Sequence, residues 1–277
     1  MQESDVIKSQ LFWKWMLVNI IVMTVYWAIY EPLRWGPYFS PLQLFPNPDG
    51  PMLILLLTGY SLVLGLAHWF VLKSRLEKIR LLIGGVSAGI ILGFVAKGTL
   101  IFFLRPLFNL WDGVTDGLSL IVREDIFGGA VWGSILGLGQ WFVLRKRLPR
   151  AGLLLMANIV ALSAGSVVAN GIIFHIYSYL ITLGVILGIL LFLLGLWILF
   201  RKDLSGRGWM VFRKPVLGYI AIVIFIRIIS PVILDLDFMH WHVHHATCGA
   251  FGGILLGLTY GLITGTTLCF LFEERKG

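Results

Sequence analysis

Runs of apolar residues, each about as long as a bilayer is thick, follow one another along this chain, broken only by short basic or Pro-rich segments. A hydrocarbon core of about 30 Å takes about 20 helical residues, and inside it only a helix or a closed barrel satisfies its own backbone. The runs read as helical spans near 12–30, 51–72, 81–104, 126–144, 151–174, 180–200, 216–234 and 247–272. A single helix over 151–200 would be about 75 Å long, so His175-Ile-Tyr-Ser-Tyr179 reads as a turn inside that stretch. The expected fold is all-α, one polytopic transmembrane bundle of about eight spans filling residues 1–277. With 58% apolar and 13% charged residues, the chain lacks the polar faces that a soluble bundle of this length needs.

Charge tests the count independently. One side collects Lys8, Lys14, Lys73, Arg75, Lys78, Arg80, Arg145, Lys146, Arg147, Arg150, Arg201, Lys202, Arg207, Arg213, Lys214, Arg275 and Lys276, which is 17 of 22 basic residues. The other side holds Arg34, Arg105 and Arg123. Basic loops stay cytoplasmic, so both termini are expected there. The net charge of +8 belongs to these loops and argues for orientation in a membrane, not for a nucleic-acid partner. The first run, Leu11 to Tyr30, is long and follows the acidic start Glu3 and Asp5, so it reads as a span and not as a cleavable signal.

Five glycines recur every four residues in the last run: Gly249, Gly253, Gly257, Gly261 and Gly265. Gly85, Gly89, Gly93 and Gly129, Gly133, Gly137 repeat the pattern. A ridge without side chains lets another helix approach closely in a membrane. That helix belongs to this chain, to a second copy or to a membrane-protein partner, and the sequence leaves the three open.

Gly65-Leu-Ala-His-Trp-Phe-Val-Leu-Lys-Ser-Arg-Leu76 returns 72 residues later as Gly137-Leu-Gly-Gln-Trp-Phe-Val-Leu-Arg-Lys-Arg-Leu148, with a fainter echo at Leu196–Leu204. Each copy ends a span on the basic side, so the unit is a two-helix hairpin returning in the same orientation, a parallel repeat. The Gly-Leu-x-Gln-Trp-x-Val-Leu-Arg-x-x-Leu string at 137–148 resembles a repeat of bacterial multi-pass membrane proteins to which no activity is assigned. It covers two of four hairpins. The resemblance implies the topology and a bacterial inner membrane, and it carries no mechanism.

No CxxC, HExxH or GxxxxGK[ST] occurs, and no feature names a reaction or catalytic residues. Cys248 and Cys269 are 21 residues apart, about 31 Å on one helix, too far to bridge. Lys97 and Arg227 lie inside expected spans, where charges are costly and face a partner or a cavity. With Asn170 and His175 they outline an outward site for an anionic small molecule or lipid headgroup. Snorkelling to the headgroups and pairing with the acids Asp112, Asp116, Glu124, Asp125, Asp235 or Asp237 are the competing accounts.

The run Asp235-Leu-Asp237-Phe-Met-His240-Trp-His242-Val-His244-His245 offers a second candidate. His240, His242 and His244 share a face if extended, and His240 and His244 do if helical. With Asp237 or Cys248 they form a ligand set for zinc or copper; a solvated interfacial loop is the plainer reading. His68, where the second copy has Gln140, reads as hydrogen-bonded packing. Three functions follow: binding or transport of an anion, a metal- or cofactor-dependent membrane enzyme or redox subunit, and a scaffold in a larger complex.

Overall fold

The computed structural model describes residues 3–39, 51–76, 79–112, 125–173, 218–222, 225 and 241–274. Its long elements are six helices: α1 (Glu3–Phe39), α2 (Pro51–Leu72), α3 (Leu81–Asp112), α4 (Gly128–Leu144), α5 (Gly152–Ile173) and α6 (Trp241–Glu274). No strand occurs among the described residues. Each helix carries a stretch long and apolar enough to cross a membrane: Gln10–Pro32, Leu55–Leu72, Leu81–Leu100, Asp125–Leu144, Gly152–Ala169 and His245–Phe272. The expected span 180–200 lies outside the described residues, and of 216–234 only 218–222 and 225 are described, as helix.

The outer surface shows what surrounds the bundle. Along α1, Trp13, Leu17, Ile21, Val25 and Ile29 are exposed at a spacing of four, while Phe12, Trp15, Asn19, Met23 and Tyr26 on the opposite face are buried. Leu62, Leu66 and Phe70 on α2 and Leu92 and Val95 on α3 are exposed as well. Helices with apolar stripes outside as well as a largely apolar core lack the polar outer face of a soluble bundle, so the fold is that of a protein embedded in lipid.

The helices close in a ring. Each of α1 to α5 packs on the next in chain order, and α6 packs on both α5 and α1. The α1–α6 seam is the most extensive, and the glycine ladder makes it. Gly249 lies on the Trp27 backbone, Gly253 on Met23 and Thr24, Gly257 on Asn19 and Ile20, Gly261 on Met16, and Gly265 on Trp15 and Phe12. Rising numbers on one helix meet falling numbers on the other, so the two run antiparallel. A Cβ at Gly257 would stand 2.6 Å from Ile20 Cα, far inside van der Waals contact. The other two glycine series work likewise, seating α3 on α4 and α4 on α5. All three ridges close the bundle internally.

The similar strings at 65–76 and 137–148 build the same turn. Lys73 N–H donates to Trp69 O at 2.8 Å and Leu76 N–H to Leu72 O at 3.0 Å; Arg145 donates to Trp141 O at 2.8 Å and Leu148 to Leu144 O at 2.9 Å. The pairing extends to the next helix, with Leu82 N–H on Ile79 O and Leu154 N–H on Ala151 O. Lys73 Nζ sits over the Trp69 and Phe70 rings as the Arg145 guanidinium sits over Trp141 and Phe142. These cations end α2 and α4 at one end of the bundle, the basic end, where the antiparallel α1 also begins and α6 finishes.

Candidate functional site

One helical turn above the basic end, His68 on α2 and Gln140 on α4 occupy equivalent places in the two copies and both point inward. They meet side chains from α1, α5 and α6 in a fully buried polar core. On one side Gln140, Tyr260 and Asn158 form a closed ring. Gln140 Nε2 donates to Tyr260 Oη at 3.1 Å, Tyr260 donates to Asn158 Oδ1 at 2.6 Å, and Asn158 Nδ2 donates to Gln140 Oε1 at 3.0 Å. Asn158 Nδ2 also donates to the Leu154 carbonyl one turn back, at 2.6 Å. That backbone tie fixes the amide's orientation, and the direction of every other bond in the ring follows from it.

The second side is open. Asn19 Nδ2 donates to the Trp15 carbonyl at 2.8 Å, the same one-turn tie that holds Asn158. Its Oδ1 is thereby the atom facing His68 Nε2 at 3.0 Å. An amide oxygen only accepts, so Nε2 carries the ring proton and Nδ1 presents a bare lone pair. Nδ1 is buried and has no hydrogen-bond partner among the described residues. Trp15 stacks on the imidazole with centroids 4.1 Å apart and planes at 20°, and Tyr260 lies beyond at 6.4 Å and 2°. Trp15 Nε1 donates to Thr264 Oγ1 at 2.8 Å, and Thr264 donates to the Tyr260 carbonyl at 2.6 Å. The two sides of the core thus share α6.

Toward the far end the polar lining continues. Tyr26 stacks on Tyr60 at 4.1 Å and on Tyr30 at 5.5 Å. Tyr219, from the described 218–222 segment, is within 3.0 Å of Thr259 Oγ1 on α6. Beside Tyr30, Glu31 is only 4% exposed, and its carboxylate acts through space on Cys248 of α6.

The outer site expected from sequence fares differently. Lys97 lies along Gly128 at the start of α4; a Cβ there would stand 3.2 Å from its Nζ. Asp125, three residues before Gly128 and on the same side of the helix, is 2% exposed. Glu31 and Asp125 each lie one residue outside the expected spans 12–30 and 126–144, at the ends of the stretches Gln10–Pro32 and Asp125–Leu144, and both are buried. Arg227, His175, Asp237 and His240 lie outside the described residues, and Asn170 is placed on α5 with only its backbone described. His242 and His244 fall in the first turn of α6, about 200° apart around the axis. No group of three His, Cys, Asp or Glu arranged to hold a metal occurs among the described residues.

The sequence reads His68 as hydrogen-bonded packing and names no other member of this core as a site residue. Asn19, Asn158 and Tyr260 were the missed members. The one usable signal was the His68/Gln140 correspondence within the repeat, because a polar residue kept at one depth in two copies marks a shared polar level. No protein-family model matches the chain, no curated protein matches it, and no solved structure matches it.

Proposed function

We propose that the protein binds or transports a small solute in the membrane, and that the polar core between α1, α2, α4, α5 and α6 is where the solute is handled. The observation that supports this reading is the depth of the core: amides, an imidazole and phenols stand fully buried within helices whose outer faces are apolar. Polar groups inside a membrane-spanning bundle are costly and mark substrate and ion paths. A purely structural network needs only to satisfy its own members, as the Gln140–Tyr260–Asn158 ring does; one nitrogen of His68 has no partner among the described residues. The finer topology belongs to the same proposal. It comprises eight spans, two of them from 180–200 and 216–234, parallel two-helix repeats, and both termini on the cytoplasmic face of a bacterial inner membrane.

In the charge-driven version, Lys97 and Arg227 receive an anionic small molecule or a lipid headgroup from outside. Their depth in the sequence favours it, and the buried Asp125 three residues from the Lys97 contact weighs against it, because that corner already holds a carboxylate. Native mass spectrometry of the protein released from nanodiscs separates the versions. A retained mass lost in Tyr260→Phe and kept in Lys97→Met assigns the polar core, and the reverse assigns the outer cations. Protein that emerges bare and moves no solute or ion in proteoliposomes overturns both.

A further inference from the structure

The species handled at this core follows from an imidazole nitrogen that has no hydrogen-bond partner among the described residues. Nδ1 of His68 is an acceptor, so whatever meets it must donate. The imidazole is fully buried, with Trp15 packed on its face at 4.1 Å and the Tyr260 ring parallel beyond it. Tight stacking favours the smallest donor. We infer that the protein binds a proton at His68 Nδ1 and that this protonation is the ion-binding step of transport, which deepens the reading of the core given above and rests on it. The step is reversible: Nδ1 takes a proton to give an imidazolium that keeps its Nε2–H bond to Asn19, and the same nitrogen returns it.

Two further features support a proton. The indole face of Trp15 stabilises a cation lying on it, as aromatic faces do for ammonium and guanidinium groups. Eight residues before His68 on α2, about 12 Å along the helix, the stacked phenols of Tyr60, Tyr26 and Tyr30 lie on the way to the buried carboxylate of Glu31, and acids, hydroxyls and histidines inside a bundle mark proton paths.

The described groups around His68 are aromatic and amide side chains: Trp15 and Asn19 from α1 and Tyr260 from α6. Gln140 of α4 and Asn158 of α5 lie behind Tyr260, and Ser87 of α3 packs on Gly65, one turn before His68. Tyr60, on α2 itself, interacts electrostatically with Tyr260. The basic residues nearest in sequence, Lys14, Lys73 and Arg145, are exposed.

The test uses the full chain in nanodiscs with its histidine rings labelled with nitrogen-15. A chain in which His175, His240, His242, His244 and His245 are changed to Gln leaves His68 as the single source of signal among the six histidines. The expected spectrum holds one protonated and one bare nitrogen at high pH, with the bare signal converting to a protonated one as the pH is lowered. In parallel, proteoliposomes loaded with a pH-sensitive dye report proton entry, and His68→Gln, which copies the side chain of the matched position 140, is expected to fall to the level of empty liposomes. A bare signal that persists to the lowest pH at which the protein stays folded, or unchanged flux in His68→Gln, overturns the proton site and leaves the solute reading of the core intact. Titration of His68 with no flux in the unsubstituted protein supports the proton site and overturns the transport reading.

Discussion

A single methyl group at Gly257 tests whether the glycine seam and the polar core are mechanically one unit. The added Cβ would stand 2.6 Å from Ile20 Cα and 2.8 Å from Asn19 O. Both neighbours are backbone atoms that cannot swing aside, and ordinary contact lies near 3.5 Å, so α1 and α6 must separate by about 1 Å. The Trp15–Thr264 hydrogen bond spans the same seam at 2.8 Å, and that displacement takes it out of range. Overpacking costs about 1–3 kcal/mol and the orphaned indole N–H adds about 1–2 kcal/mol. In contrast, Gly59 sits mid-helix on α2 with nothing within 4 Å of a Cβ, so Gly59→Ala is neutral or stabilises by up to about 1 kcal/mol. Thermal unfolding in mild detergent, followed by tryptophan emission, is expected to fall by about 5–10 °C for Gly257→Ala and to hold or rise for Gly59→Ala. If the two variants unfold together within about 1 °C of the unsubstituted protein, the close approach argued for this seam is wrong.

Tyr260→Phe strips partners from Asn158 Oδ1 and Gln140 Nε2 at once and is expected to cost about 1–3 kcal/mol in the same assay. Combined with Gln140→Leu the losses are not additive, because both belong to one ring, and a double-mutant cycle reads a coupling of about 0.5 kcal/mol or more. Cys248 and Cys269 are buried, so a membrane-impermeant maleimide labels neither until the protein unfolds. In that silent background Ser74→Cys and Lys146→Cys, exposed positions in the two copies of the turn, label from the same side of oriented vesicles; opposite labelling refutes the shared basic end.

Apolar run length predicted an all-helical chain, and among the described residues six helices are long and apolar enough to cross a membrane, Pro51–Leu72 and Gly152–Ile173 among them. Run length reports desolvation cost residue by residue, and that cost is local. The partners of the glycine ridges were not legible, since a ridge states that something packs there without stating what. The polar core was legible only at His68 and Gln140. Asn19, Asn158 and Tyr260 each stand singly among apolar neighbours, and a lone amide or phenol in a span gives no sign that three helices away another points toward it. Their meeting is set by the antiparallel registers of α1, α5 and α6, a property of packing.

The two copies of the turn also explain why position 68 is the informative one. At position 140 the chain has a side chain with one donor group and one acceptor, and the core supplies a partner for each. At position 68 the same helical turn carries an imidazole of which only one nitrogen is engaged. If the core served cohesion alone, the closed arrangement of the second copy would satisfy it in the first. The substitutions that exchange the two should therefore behave unequally. Gln at 68 keeps a donor for Asn19 Oδ1 and is expected to stay within about 1 kcal/mol of the original stability, whereas Gln140→His breaks a closed ring and costs about 1–3 kcal/mol. Only the first removes proton flux at full stability. An equal loss of stability in both, with flux following stability, refutes a functional role for the open nitrogen and makes His68 a packing residue.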